Sequence, residues 1–218
     1  MGNLQLRAKD GHSLSAYMVA PEGKPRGGVV VIQEIFGLNS HIKRVTEQYA
    51  GLGYLAVAPA LFDRIKRNVE LPYTDLQPGL DLMTKTTNDG VLADVNAAVD
   101  IVARAGRTGM VGYCWGGRVT YLSACRINLA VAVAYYGGGI AQLLDETPKC
   151  PIMFHHGERD AFIPASDVTK IRAAVPDGVF HLYPANHGFN CTDRADYDAA
   201  SARLAFERSG EFFRNHIG

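Results

Sequence analysis

Net charge is the first thing this 218-residue chain lacks: 22 Lys and Arg offset 22 Asp and Glu. Without a basic surplus nothing drives bulk displacement of counterions from a nucleic acid, so no nucleic-acid partner is expected. Long apolar runs are missing too. The longest, such as Gly28–Ile32 and Leu129–Tyr136, fall far short of the roughly 20 residues of a spanning helix, so no membrane partner is expected. The opening MGNLQLRAKD carries no apolar export stretch. Leu6 stands where a myristoylation signal would need Ser or Thr. A cytoplasmic location is the expectation. Cysteine is scarce, with Cys114, Cys125, Cys150 and Cys191 and no CxxC pair, which does not fit a disulfide framework. Asn190-Cys191-Thr192 matches a glycosylation sequon, which means nothing without export. Repeats, low-complexity tracts and Pro/Gly/Ser linkers are also absent, so residues 1–218 read as one domain.

What is present is the balance of a globular protein. Hydrophobic residues make up 47% and charged residues 20%, enough to bury a core and too little charge for disorder. Short β-branched or apolar runs predict strands at Leu4–Ala8, Leu14–Val19, Gly28–Gln33, Tyr54–Ala58, Thr108–Gly112, Leu129–Tyr135, Pro151–His155 and Val179–Tyr183. Asp10-Gly11 predicts a hairpin turn between the first two. Longer periodic stretches predict helices at Ser40–Leu52, Asp89–Ala105, Trp115–Cys125, Ala165–Ala174 and Asp196–Asn215, with Ser40 as an N-cap. A hairpin followed by β-α alternation predicts an α/β fold, with a mostly parallel sheet of about eight strands and helices on both faces. Leu61–Asn88 breaks that rhythm. It reads either as a lid or as a solvated connection with one short helix.

Gly112-Tyr113-Cys114-Trp115-Gly116-Gly117 is the sharpest chemical signal. A buried-strand pattern runs into it and a helical pattern leaves it, as at a nucleophile elbow. Such a turn lifts Cys114 out at the C-terminal edge of the sheet, at a helix N-terminus that favours a thiolate. The Trp115 backbone N–H is placed to meet a developing oxyanion. Asp160 follows the Ile152-Met153-Phe154 strand pattern, where a carboxylate can accept a hydrogen bond from a distant His. His187 follows the last strand pattern. The order Cys114, Asp160, His187 is that of a hydrolase triad with Cys in place of Ser. Gln33-Glu34-Ile35-Phe36-Gly37 follows the third strand, where the second oxyanion donor arises; the Ile35 N–H is the candidate. Trp115, Phe36, Tyr73, Tyr136 and Phe189 are candidate pocket residues, each more readily read as core packing, since buried aromatics mostly serve packing.

These pieces resemble the dienelactone hydrolase family of α/β-hydrolases over nearly the whole chain. The resemblance rests on Gln33-Glu34-Ile35-Phe36-Gly37, the Pro59-to-Arg64 segment, Gly112-Tyr113-Cys114-Trp115-Gly116-Gly117, Tyr135-Tyr136-Gly137, Gly157–Pro164 and His187-Gly188-Phe189. It implies an α/β-hydrolase fold with Cys114 as nucleophile, His187 as base and Asp160 as its orienter. It also implies that Glu34 hydrogen-bonds the resting thiol and takes its proton once substrate binds. The best-known members grip the substrate carboxylate with two arginines. Cys191 stands at one of those places, and Leu61–Asn88 has no Arg at the comparable distance. Arg64, Arg67 and Arg194 are the available substitutes.

The expected activity is hydrolysis of a small-molecule carboxylic ester or enol lactone through a Cys114 thioester, with no cofactor and no metal. A neutral-ester esterase of the same family is the alternative. Two rivals come from other classes. A metal-dependent hydrolase would use His155, His156, His187 and Cys191, but no HExxH or CxxC spacing supports it. A silent binding or redox-sensing module would hold Cys114 in the same elbow and oxidise it.

Overall fold

A computed structural model describes residues 2–218. They fall into two compact units. One ends at Gly109 and takes in Ile217; the other runs Met110–His216 and takes in Gly218. The strands are β1 (Gly2–Arg7), β2 (Ser13–Val19), β3 (Gly28–Ile32), β4 (Leu55–Pro59), β5 (Thr108–Tyr113), β6 (Val131–Tyr135), β7 (Ile152–Gly157) and β8 (Val179–Tyr183). The α-helices are α1 (Ser40–Gly51), α2 (Gln77–Thr84), α3 (Asn88–Val102), α4 (Trp115–Arg126), α5 (Ala165–Ala174) and α6 (Ala199–Ile217). The strands form an eight-stranded, mostly parallel sheet, so the fold is α/β as the alternation predicted.

In the first unit the sheet order is β1-β2-β4-β3, with β1–β2 and β2–β4 antiparallel and β3–β4 parallel. Every residue of β3, Gly-Val-Val-Val-Ile, is buried, as a parallel strand covered on both faces requires. The outermost strand, β1, is mostly exposed and polar, which blunts the sheet edge. Helix α1 buries Ile42, Val45, Thr46 and Tyr49, one apolar stripe of 3.6-residue period. Its N-cap is Asn39, not Ser40: the Asn39 side chain accepts the Ile42 N–H at 3.2 Å. Asn and Ser cap equally well, so propensity alone could not choose between neighbours.

The 61–88 segment is neither structureless nor loose. It holds a 3-10 turn at Leu61–Arg64 and the short helix α2. Asp63 accepts the Ser15 N–H at 2.8 Å, and the Leu71 N–H reaches the Phe36 carbonyl at 2.9 Å. Gly37 and Glu70 form an isolated bridge. At Gly37, with φ of 84°, a Cβ would stand 2.0 Å from the Val69 carbonyl oxygen, so only glycine lets the segment lie this close. Arg64 grips Asp94 of α3 with two parallel bonds of 2.7 and 2.8 Å and reaches Asp10 at 2.8 Å. Burial pushes the Asp94 pKa up and the guanidinium draws it back, leaving it raised. The Asp94 side chain is fully buried, so this pair braces α3 against the segment.

In the second unit the order is β5-β6-β7-β8, with β6–β7 and β7–β8 parallel. Strands β5, β6 and β7 are buried throughout, and β8 is half exposed. The register sets Tyr135 beside His155 and Gly157 beside Tyr183, so the strands end at a common edge. Buried His155 bonds Tyr183 Oη at 2.8 Å and Ser209 Oγ of α6 at 2.9 Å, and Ser209 Oγ also meets Tyr135 Oη at 2.7 Å. These bonds pin the C-terminal helix to three strands.

The Arg64 bracing generates a prediction. Arg64→Ala leaves the Asp94 carboxylate buried without its bidentate partner, and urea unfolding is expected to show a loss of about 3 kcal/mol. The KM for a small ester stays within twofold. A raised KM with unchanged stability would instead place Arg64 at the substrate.

Candidate active site

Strand β5 runs directly into α4, and Cys114 is the single residue between them. Its backbone has φ 56° and ψ −120°, a left-handed conformation that costs a non-glycine residue about 1–3 kcal/mol. Two close approaches hold it there. A Cβ on Gly112 would lie 2.0 Å from the Gly116 carbonyl oxygen and 2.4 Å from Thr120 Oγ1. The Cys114 N–H donates to the Tyr135 carbonyl at 3.0 Å, and the Cys114 carbonyl accepts from Gly117 N–H at 2.9 Å. The turn is therefore locked on both sides of the sulfur. Trp115 is the first residue of α4, so its N–H belongs to the positive helix end.

Asp160 follows β7 and His187 follows β8. Asp160 Oδ1 accepts the N–H groups of Phe162 at 2.8 Å and Ile163 at 3.2 Å, which fixes the carboxylate. Oδ2 accepts from His187 Nδ1 at 2.8 Å. That bond sets the tautomer and leaves Nε2 for chemistry. The Cys114 side chain also acts on His187. Burial opposes charge on this imidazole, yet the Cys114 sulfur and the Asp160 carboxylate outweigh it and push its pKa up to about 10. Between that sulfur and that carboxylate, the protonated form of the ring is favoured.

An aromatic bed supports this loop. Phe189 is fully buried and lies 5.3 Å from the Tyr136 ring and 5.1 Å from the Tyr183 ring. Tyr136 and Phe162 each sit 5.1 Å from the His187 ring, centroid to centroid. Phe189 and Tyr136, candidate pocket residues by sequence, are thus packing that aims the histidine. Phe162, exposed at its surface and edge-on to His187, was not singled out from the sequence, since nothing in a lone loop Phe signals such a contact. A groove of about 400 Å³ runs along Asp160, Glu158 and Arg172 but includes neither Cys114 nor His187.

In the first unit Glu34, Ile35 and Phe36 follow β3 after Gln33. Glu34 is wholly buried; its Oε2 accepts from Tyr73 Oη at 2.9 Å, while Oε1 has no hydrogen-bond partner. Phe36 packs on Tyr73 with centroids 4.3 Å apart. Tyr73, a pocket or core candidate, is thus a partner of Glu34. None of the three substitute arginines is idle. Arg64 is taken by Asp94 and Asp10, Arg67 donates to the Ser13 carbonyl at 2.8 Å, and Arg194 reaches Asp196 at 3.3 Å. Of the metal-ligand candidates, His155 has both ring nitrogens on hydroxyls. Burial lowers the pKa of His156 to about 4, and its ring stacks on Phe154.

The sequence profile of the dienelactone hydrolase family matches residues 14–217. The carboxymethylenebutenolidase of Pseudomonas putida is 32% identical over 227 residues, which cover 96% of this chain and 94% of that protein. A crystal structure from Klebsiella pneumoniae, provisionally named a dienelactone hydrolase, superposes with a TM-score of 0.85 at 31% identity. It covers 98% of this chain and 99% of its own. A metagenomic dienelactone hydrolase-like promiscuous phosphotriesterase shares the fold at 19% identity, with a TM-score of 0.79 and coverage of 100% and 99%.

The strained elbow makes a prediction that reverses the usual ranking of alanine over glycine. Cys114→Gly is expected to be more stable to urea than Cys114→Ala by about 1 kcal/mol, because only glycine takes this φ without cost. Equal or greater stability of the alanine variant would contradict the strain.

Proposed function

The chain belongs to the dienelactone hydrolase family and is a hydrolase of the lactone or ester class, and on that premise we propose that it works through a thioester on Cys114. The observation that carries this reading is the strained elbow at Cys114 together with His187, which is bonded to Asp160 at 2.8 Å and raised in pKa by the Cys114 side chain. Cys114 Sγ attacks the substrate carbonyl. The N–H groups of Ile35 and Trp115 hold the oxyanion, each worth about 3 kcal/mol of barrier. The His187 imidazolium, whose pKa is pushed up to about 10, gives its proton to the leaving alkoxide. The neutral ring then takes a proton from water, which attacks the thioester and releases the acid. Asp160 keeps the ring oriented through both steps. Glu34 is the carboxylate that takes the proton of the resting thiol. For an enol lactone the leaving group stays tethered to the acyl chain, so deacylation must outrun reclosure. No cofactor enters this sequence.

The substrate is a small neutral ester or lactone. Bidentate capture of a carboxylate needs an uncommitted guanidinium. Arg64 is locked to Asp94, and Arg67 and Arg194 have partners of their own.

The test is hydrolysis of p-nitrophenyl acetate beside a carboxylated dienelactone, with Cys114→Ala as the blank. The neutral ester is expected to be cleaved at a kcat/KM equal to or above that of the lactone. A lactone preference beyond about tenfold, roughly 1.4 kcal/mol, would contradict the neutral-substrate reading. Turnover of both by Cys114→Ala would contradict the thioester.

A further inference from the structure

Helix α5 lies lightly on its sheet: Ile171 alone among its residues is buried. The groove of about 400 Å³ opens beside it, a volume in the range of small-molecule sites. Ile163, Val168 and Leu182 give it apolar walls, and Glu158, Asp160 and Arg172 give it charges. One buried group on this side of the sheet is left over. His156 of β7 is 1% exposed, and neither of its ring nitrogens has a hydrogen-bond partner among the described residues. A buried polar group without a partner is costly, and native proteins hold few of them. The direction of the ring follows from the pleat. The register sets Phe154 beside Phe180 and His156 beside Leu182, and paired residues of parallel strands share a face. Leu182 lines the groove, and Arg172 of α5 lies over the Phe180 ring, 4.9 Å from its centroid. The His156 ring therefore stands on the α5 side of the sheet, backed by Phe154, on which it stacks with centroids 6.2 Å apart.

We propose that this groove is a binding site for a small neutral phenol, whose hydroxyl is held by His156 and whose ring lies against Ile163, Val168 and Leu182. Burial lowers the His156 pKa to about 4 against the pull of Asp160, so at neutral pH the imidazole is uncharged. It then presents one N–H donor and one bare nitrogen, and a hydroxyl, which both donates and accepts, can satisfy either. The charges around the groove do not favour an ion. Arg172 would draw an anion, but Glu158 and Asp160 line the same space; a cation would meet Arg172. Asp160 has both oxygens engaged, Oδ1 by the Phe162 and Ile163 N–H groups and Oδ2 by His187, and so does not compete for the hydroxyl proton. The aliphatic walls suit an apolar body with a single polar handle. Binding here involves no covalent step, and the groove includes neither Cys114 nor His187, so the proposal does not rest on the thioester.

The experiment titrates phenol into methyl-labelled protein and follows the Leu182 methyl signals by NMR, with the His156 ring protons as a second reporter. In wild type both are expected to shift saturably, with half-saturation at about 1 mM, an affinity open to a ligand this small. His156→Phe keeps a ring against Phe154 and removes the nitrogens. It is expected to raise the half-saturation of the Leu182 shift about fivefold, the loss of one hydrogen bond. Benzene, the same ring without the hydroxyl, is expected to bind wild type about fivefold more weakly than phenol does. Val168→Phe, which fills the groove, is expected to abolish both shifts while kcat/KM for p-nitrophenyl acetate stays within twofold. Signals of Leu182 and His156 that do not move with phenol overturn the site and leave the His156 nitrogens to water. Benzene binding as tightly as phenol, or His156→Phe binding phenol like wild type, leaves apolar contact alone and overturns the role of His156. Benzoate binding more tightly than phenol overturns the neutral class in favour of an anion at Arg172. An unchanged half-saturation in Val168→Phe overturns the groove as the place of binding.

Discussion

The left-handed backbone at Cys114 is the constraint on which the rest of this molecule turns. A strand that passes into a helix across one residue must reverse its path there, and no relaxed conformation does so. The strain is held because Gly112 admits the Gly116 carbonyl where any side chain would collide, and because Tyr135 and Gly117 bond the backbone on both flanks. Fully buried β5 and β6 supply the rigidity behind it. A relaxed turn at this place would let the sulfur drop back, and the helix N-terminus would no longer stand beside it.

Around that point the second unit arranges electrostatics by means of packing. Asp160 is fixed by two backbone donors before it meets His187, so the bond between them carries orientation as well as charge. The imidazole is buried, which alone would keep it neutral, and its raised pKa comes from the sulfur and carboxylate on its two sides. The Phe189 bed and the Tyr136 and Phe162 rings restrict where that imidazole can go. Aromatic mass is thus used to place a proton carrier. In the first unit the same economy appears in the Asn39–Tyr73–Glu34 series, where a helix cap and a segment hydroxyl orient one carboxylate.

Much of this was legible in the residues themselves. The buried strands announced their ends because apolar runs give way to Gly, Asp and Asn at the sheet edge, and the elbow announced itself because its glycines answer to local sterics. What depends on distant partners was not legible. Arg64 reads as a free cation until Asp94, 30 residues on, is found holding it. Tyr73 and Phe189 read as core or pocket, with core favoured, because sequence carries no sign of which ring meets a carboxylate and which packs. Strand limits shifted by a residue or two, as at Val131 for the expected Leu129, where pattern and hydrogen bonding part. The cap of α1 fell on Asn39 because adjacent Asn and Ser are equivalent by propensity and only the Ile42 N–H decides between them.

The central claim is that Cys114 carries the acyl group during turnover. Wild-type protein mixed with excess p-nitrophenyl acetate, quenched in acid within milliseconds and analysed by intact mass and peptide mapping, tests it most directly. The account predicts one acetyl group, located on the peptide that contains Cys114, lost on the timescale of turnover and absent from Cys114→Ala. Turnover without any acyl adduct on Cys114, or with the adduct on another residue, would contradict it.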